Sequence, residues 1–486
     1  MLQSFLAFLG GQPGEEKPML LLLGKGFCMG VFLASYQIGS ETLFLTTPGL
    51  GKEYLDKAFF VAGFLGIIST YTYVQLQRSI NFSSLVGSNA FFTFIILCVL
   101  LWLFNYSGFN AVAGEFPILP FILFVLIGPI ASVTLLGFWG VFGRVFNLKQ
   151  SKRIIGGIDT GQLTATMIAY FSIPALTELN VIDETNDLLF IATGASFGIL
   201  IFTIWIIKEF NIDTASRIRK ADNVKPVKFI DLFRNRYLRM LSLFLIFSMG
   251  SAVFANYVFL SATETMYPDE VELRNFLSFF GGFIMIVSFL IQSFLNDYLI
   301  GKYGLKVALM IMPFILGIFT IGAIGTGHLF GYEVKDEDGY YAIFFVFASL
   351  GRLFTASLKD ALENPAFKLF FLPFDVKIRF DVQSKIEGVV NEVAVLVAGA
   401  MQIGLGLLAF FKLIHYLYFV MALAVVIIYF AGKLFAEYKK ALKSTLKDQK
   451  TKLGGHGTRN EHNTINVIKT ELRHKDSKRV LNALKL

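Results

Sequence analysis

Ser384-Lys-Ile-Glu-Gly-Val-Val-Asn-Glu392 repeats the plan of an earlier stretch, Ser151-Lys-Arg-Ile-Ile-Gly-Gly-Ile-Asp159. Each starts on a Ser-Lys pair, passes through glycine and reaches a carboxylate in the same relative place. Each also follows an aromatic–polar pair, Phe146-Asn147 and Phe374-Asp375, that closes one apolar run before the next opens. Two related helical units in one chain predict a molecule of two similar halves, with any solute site between them near mid-depth.

Outward from these stretches, hydropathy marks twelve apolar spans at roughly 19–45, 57–77, 84–106, 117–142, 154–176, 188–208, 239–262, 273–297, 305–329, 340–367, 386–411 and 414–435. Most reach the ~20 residues a helix needs to cross a bilayer. The polar, basic stretch between the sixth and seventh spans, interrupted by Pro226, is the seam between two sets of six. The expected organisation is an N-terminal segment 1–18, a six-helix bundle 19–208, a linker 209–238, a second bundle 239–437 and a helical extension 438–486.

Lysine and arginine alternate between the connections. Even-numbered ones carry Arg78, then Arg144, Lys149, Lys152 and Arg153, then the stretch Lys208 to Arg239, then Lys302 and Lys306, then Lys368, Lys377, Arg379 and Lys385. Odd-numbered ones are nearly bare of cation or openly acidic, as from Thr177 to Asp187 and from Lys335 to Asp338. Cationic short loops remain cytoplasmic during insertion, so both termini are expected in the cytoplasm of a multi-pass plasma (inner) membrane protein. The chain is 55% hydrophobic and 16% charged, well below the ~25% charged of a soluble domain. Its net charge of +8 belongs to loops that meet anionic lipid, so no nucleic-acid partner is expected. Cys28 and Cys98 both fall within spans and offer neither a disulfide framework nor a metal site. No phosphate loop, glycine fingerprint or nucleophile triad stands out, so neither an enzyme nor a cofactor is expected.

Beyond the last span, 463–486 carries two short amphipathic runs, one through Ile465, Val467, Ile468 and Leu472, the other through Val480, Leu481, Ala483 and Leu484, after a Gly454–Gly457 linker. This tail resembles one HEAT-type helical repeat, which needs neighbours to bury its faces and so points to a cytoplasmic protein partner.

Glu41-Thr-Leu-Phe-Leu45, Phe138-Trp-Gly-Val-Phe-Gly-Arg-Val-Phe-Asn147 with the basic run to Arg153, and Asn364-Pro-Ala-Phe-Lys-Leu-Phe-Phe-Leu-Pro-Phe-Asp375 ahead of Ser384-Lys385 together resemble the nucleotide transporter (ATP/ADP translocase) family and its bacterial relatives. Lys302-Tyr-Gly-Leu-Lys306 is similar to the basic loop motif of the wider major facilitator superfamily, with the usual aspartate displaced to Asp297. The resemblance implies an all-α, twelve-helix, major-facilitator-type fold of two pseudo-symmetric six-helix halves, and a nucleotide or other small anionic solute as cargo. Ser40 stands where exchangers carry a lysine, and no cation lies between Lys385 and Lys412. Phosphate groups in a low-dielectric site call for fixed cations, which separates this chain from strict ATP/ADP exchange.

Charged groups inside spans are costly, ~2.5–3.5 kcal/mol each on insertion scales, and so mark sites. Arg352, midway along the tenth span with no sequence neighbour to neutralise it, is the leading contact for an anionic solute. Lys25 either snorkels to the interface or joins it. Tyr36, Gln37 and Asn256 are candidate contacts of equal standing with a packing role. Lys359, Asp360 and Glu363 form a charge cluster expected to hold the halves together, with Lys359 and Glu363 spaced to pair. Asp159 and Glu392, at helix starts where carboxylates are favoured, are expected to latch the cytoplasmic gate. A transporter working by alternating access follows. The other class is a transporter-like scaffold acting through its tail, which a centre plugged by phenylalanine would favour and a continuous polar cavity reaching Arg352 would oppose; a third is a sensor, which binds solute without flux.

Overall fold

The computed structural model describes residues 11–106, 117–146, 148–210, 212–213, 234–332, 341–374, 379, 382–383, 385–408 and 410–456. Among these there is no strand. Twelve long helices follow one another: α1 Glu16–Thr46, α2 Leu55–Ser79, α3 Phe82–Tyr106, α4 Ile118–Val145, α5 Leu148–Glu178 and α6 Asp187–Glu209, then α7 Arg236–Met266, α8 Glu270–Leu295, α9 within Asn296–Phe330, α10 Tyr341–Leu369, α11 Lys385–Gly406 and α12 Leu413–His456. Gly304, at φ 79°, divides Asn296–Phe330, so the part before it prolongs α8 and the part after it is α9. Asn235 and Asp269 cap α7 and α8 by accepting the first free backbone N–H groups, as helix starts require.

Eleven of these helices are long and apolar enough to cross a membrane. The fifth expected span falls short because the start of α5 holds Gly156, Gly157, Asp159, Thr160, Gly161, Gln162 and Thr164. Helix packing and not lipid accounts for that polarity, since α5 lies against α1 and α8.

The pairing of helices carries the internal symmetry. Within the first half α1 packs on α4, α5 and α6, α2 on α4, and α3 on α4 and α6. Adding six to every label reproduces the second half, where α7 packs on α10, α11 and α12, α8 on α10, and α9 on α10 and α12. The seams obey the same rule, since the α2–α11 contact maps onto α8–α5. Glycines permit both. A Cβ at Gly63 or Gly399 would run into the backbone of α11 or α2, and Gly281 and Gly282 receive the rings of Tyr170 and Phe171. Gly404, by contrast, faces open space.

One apolar core lies among α1, α3, α4 and α6 around Phe32, Phe82 and Phe138. The other fills the second half and takes in Phe44, Phe59, Phe124 and Tyr170 from the first. In lipid such clusters hold helices together by close packing, with interhelical hydrogen bonds beside them, since lipid tails are as apolar as the side chains. The helical ranges refine the expected boundaries: α1 begins at Glu16 rather than 19, and α12 continues past Gly454 and Gly455 to His456, so no linker breaks it there. Residues 1–10 of the N-terminal segment, most of the linker (214–233) and the HEAT-like runs 463–486 lie outside the described residues.

Candidate functional site

Between the halves lies a cavity of about 590 Å³, with an adjoining lobe of about 150 Å³ that shares Gln37, Glu41, Asn256, Arg352 and Asp360 with it. Its walls come from the first helix of each half and from α2, α4, α10 and α11.

Helical spacing sets the polar groups. Gln37 and Glu41 are one turn apart on α1 and so share a face; Gln37 Nε2 donates to Glu41 Oε1 at 2.9 Å. Tyr170 of α5 donates its hydroxyl to Gln37 Oε1 at 3.0 Å, which orients the amide. On α10, Arg352, Ala356 and Asp360 recur every four residues and all reach the cavity. Arg352 and Glu41, from opposite halves, line the same cavity within electrostatic reach of each other, with Asp360 and Tyr170 nearby. Sequence proximity could not reveal that partner, which comes from another half of the chain.

Below Arg352, α10 takes a π-helical turn over Lys359–Glu363. Pro365 follows at once and has no N–H to continue the ladder, and such turns recur at functional sites. Lys359 pairs with Glu363 at 2.8 Å and donates to Ser248 of α7 at 2.8 Å; Ser248 in turn bonds Glu363. This triad joins α10 to α7 inside one half. The expectation that it holds the two halves together is corrected by that partner. Asp360 stands apart from it, facing the cavity and accepting from Asn364 at 3.3 Å.

Asp159 and Glu392 both bond across the seam between halves: Gln292 of α8 donates to Asp159 at 2.7 Å, and Ser132 of α4 donates to Glu392 at 3.0 Å. Glu392 also lines the cavity, whereas Asp159 lies beside it, within reach of the Lys368 charge.

Two expected solute contacts are elsewhere. Tyr36 is 2% exposed and donates its hydroxyl to the Leu123 carbonyl at 2.9 Å; one residue before Gln37, it points about 100° away around the helix. Lys25 is also 2% exposed, so it does not snorkel, and it lies inside the first half among α3, α4 and α6. Conversely, Glu41, Lys368, Glu387, Asn391 and Ser132 line the cavity without having been singled out. Glu41 carried a legible signal, a carboxylate four residues from Gln37 in an apolar span.

Among the described lining residues the cations are Arg352, Lys359 and Lys368, and the carboxylates are Glu41, Asp360, Glu387 and Glu392. With Lys359 neutralised by Glu363, two free cations face four carboxylates. Phe59, Phe124 and Phe367 add apolar surface without closing the space. No group of three His, Cys, Asp or Glu that could hold a metal ion occurs among the described residues.

The far end of the molecule, away from the basic connections, is the more tightly closed. There α1 from Ile38 to Leu45 and α7 from Val253 to Thr263 are almost wholly buried. Glu264 accepts the Lys52 backbone N–H at 2.6 Å, Arg274 donates to Thr185 and Thr177 at 3.3 Å each, and Ser278 donates to the Tyr170 carbonyl at 2.6 Å, all between halves.

No protein-family model matches the chain, and no curated protein is similar to it in sequence. Its fold is shared with solved transporters. A mutant of the nucleoside transporter NupG superposes with a TM-score of 0.60 at 12% identity, covering 86% of this chain and 99% of that one. A bacterial homologue of the iron transporter ferroportin, in an outward-facing state with soaked iron, gives 0.56 at 13% identity over 85% and 98%. The fold is therefore of major-facilitator type, in a multi-pass membrane protein.

Proposed function

We propose that this protein is a secondary transporter in which the two halves rock about the central cavity, exposing it to each side of the membrane in turn. The observation that carries this reading is an open cavity at the seam, lined by both halves, in which Arg352 and Glu41 stand on largely apolar walls. A scaffold acting through 438–486 needs no such space, and a sensor would bind solute there without the flux that an uptake assay reads. With the basic connections on the cytoplasmic side of a plasma (inner) membrane, both termini are cytoplasmic. The tightly bonded far end is then external, and the cavity runs toward the cytoplasm past Lys368 and Glu387.

The cargo that suits this lining is a small polar organic solute, uncharged or zwitterionic. Gln37 and Asn256 offer amides, Glu41 and Arg352 offer charged hydrogen-bond partners, and Phe59 and Phe124 offer apolar surface, the mixture of a few placed polar groups on apolar walls typical of ligand sites. A nucleoside, the cargo named for one structural neighbour, has that character. A nucleotide or other anion would rely on Arg352 and Lys368 against four carboxylates, which disfavours several phosphate charges at once. Purified protein in proteoliposomes, offered labelled nucleosides and the corresponding nucleotides, separates these readings. Uptake of nucleosides that Arg352→Ala abolishes is expected; uptake of nucleotides alone restores the anionic reading, and uptake of neither by a folded protein removes this cargo class.

A further inference from the structure

Lys25 is a buried charge in the interior of the first half. Gly24 and Gly26 flank it, and they let α1 press against α6 and α4: a Cβ at Gly24 would collide with the ring of Phe202, and one at Gly26 would touch Phe138. The close approach carries the lysine stem inward, leaving the residue 2% exposed in the interior of the first half. No described residue hydrogen-bonds or ion-pairs with it, and no carboxylate lines the space around it. A buried ammonium without a counter-charge is costly in a medium that cannot solvate it.

The space itself is a small chamber of about 20 Å³, separate from the central cavity, whose polar lining is Lys25, Asn89, Thr93, Thr134, Ser196 and Thr203. Two of these hydroxyls have committed their protons along their own helix: Ser196 donates to the Thr193 carbonyl at 2.8 Å and Thr203 to that of Ile199 at 2.7 Å. Thr93 and Thr134 have no such bond to a described residue, and Asn89 spends one amide hydrogen on the Val133 carbonyl at 3.4 Å and keeps the other. The uncommitted donors are an ammonium, two hydroxyls and one amide hydrogen, and the acceptors beside them are neutral: the Asn89 Oδ1 and the hydroxyl oxygens. The chamber holds about one water-sized particle, too small for a carboxylate or a phosphate.

We propose that Lys25, Thr93, Thr134 and Asn89 form a binding site for one small monovalent anion of halide type, inside the first half and distinct from the transport cavity. The anion supplies the missing counter-charge and fastens α1 to α3, α4 and α6. Its place at the root of α1, the helix that carries Gln37 and Glu41, makes it a stabiliser of the half that rocks as a unit.

Thermal unfolding of the purified full chain tests this, with sodium chloride replaced step by step by sodium gluconate at constant ionic strength, and with bromide as a second halide. A ligand that binds the folded state alone raises its stability with concentration, so the midpoint is expected to climb with chloride and with bromide and to saturate. Lys25→Met is expected to abolish that dependence. Should Lys25→Met fail to fold, Thr134→Val, which keeps the ammonium, is expected to raise the half-saturating chloride concentration at least several-fold. A midpoint that is the same in chloride and gluconate overturns the proposal, as does a chloride response that survives in Lys25→Met or is unshifted in Thr134→Val. Loss of the response in Arg352→Ala would place the anion in the central cavity and overturn it equally.

Discussion

Asp159 of α5 accepts a hydrogen bond from Gln292 of α8 at 2.7 Å, across the seam between the halves. Its counterpart in the repeat, Glu392 of α11, also reaches over the seam, but to Ser132 of α4. Two carboxylates placed alike by duplication thus fasten the halves at two points, through partners that the duplication did not preserve.

Breaking the first of these bonds removes a hydrogen bond to a carboxylate, worth about 1.5–3 kcal/mol. Asp159→Ala is therefore expected to lower unfolding stability by about that amount, and Gln292→Ala in the same background to add little, because the two residues share one interaction. Unfolding of the four proteins of this cycle in detergent measures the coupling; additive losses would show that the bond contributes nothing.

The α2–α11 crossing depends on bare backbone. Gly63→Ala and Gly399→Ala each force a methyl group into the facing helix and are expected to destabilise the protein by about 1–3 kcal/mol, as overpacking does. Gly404→Ala, which meets nothing within 4 Å, is the control expected to leave stability unchanged. Thermal unfolding of the three variants distinguishes them.

Glu41→Gln keeps an oxygen for the Gln37 amide but removes the charge within electrostatic reach of Arg352. Transport is expected to fall at least tenfold, with Arg352→Ala as severe and the double variant no worse than either, since residues acting as one unit are not additive. Initial uptake rates in proteoliposomes supply the comparison, and a Glu41→Gln protein with full activity would leave Arg352 acting without it.

At the far end, Glu264 of α7 holds the Lys52 N–H beside Gly51, whose φ is 58°. Glu264→Ala is expected to free the connection between α1 and α2, speeding hydrogen exchange in residues 50–54 while α7 itself stays protected. Unchanged exchange in that segment would remove Glu264 as the fastening.

Glu15, just ahead of α1, is buried, which by itself raises a carboxyl pKa. The Gln12 N–H, the Gln150 amide and the Arg153 guanidinium outweigh that and hold it below its ordinary value of 4.5. A depressed folded value means the contribution is present above the unfolded pKa and is lost as pH falls through the folded one. Wild-type stability should therefore lose a component below about pH 4.5 that Glu15→Gln lacks, seen as a shallower acid limb in the variant's unfolding midpoint against pH.

Much of the fold was legible because bilayer insertion acts on local properties. Span length, loop charge and the repeat around Asp159 and Glu392 are all carried by short stretches of chain, and the fifth helix, polar at its start, was marked by the repeat as well as by its apolar span. The site was legible to the extent that a charge in an apolar span is conspicuous, as with Arg352, and that a four-residue spacing defines a face, as with Gln37 and Glu41.

Sequence alone determined a twelve-helix chain in two related halves, since apolar length and basic loops act residue by residue as each helix inserts. Tertiary structure alone decided which polar residues meet. Arg352 found Glu41 from the opposite half, Lys359 and Glu363 closed on Ser248 within their own half, and Lys25 turned into the first bundle while Gln37, on the same helix, faced the cavity. The reason is rotational: each residue turns a helix face by about 100°, so the neighbour it meets depends on how helices far apart in the chain are packed.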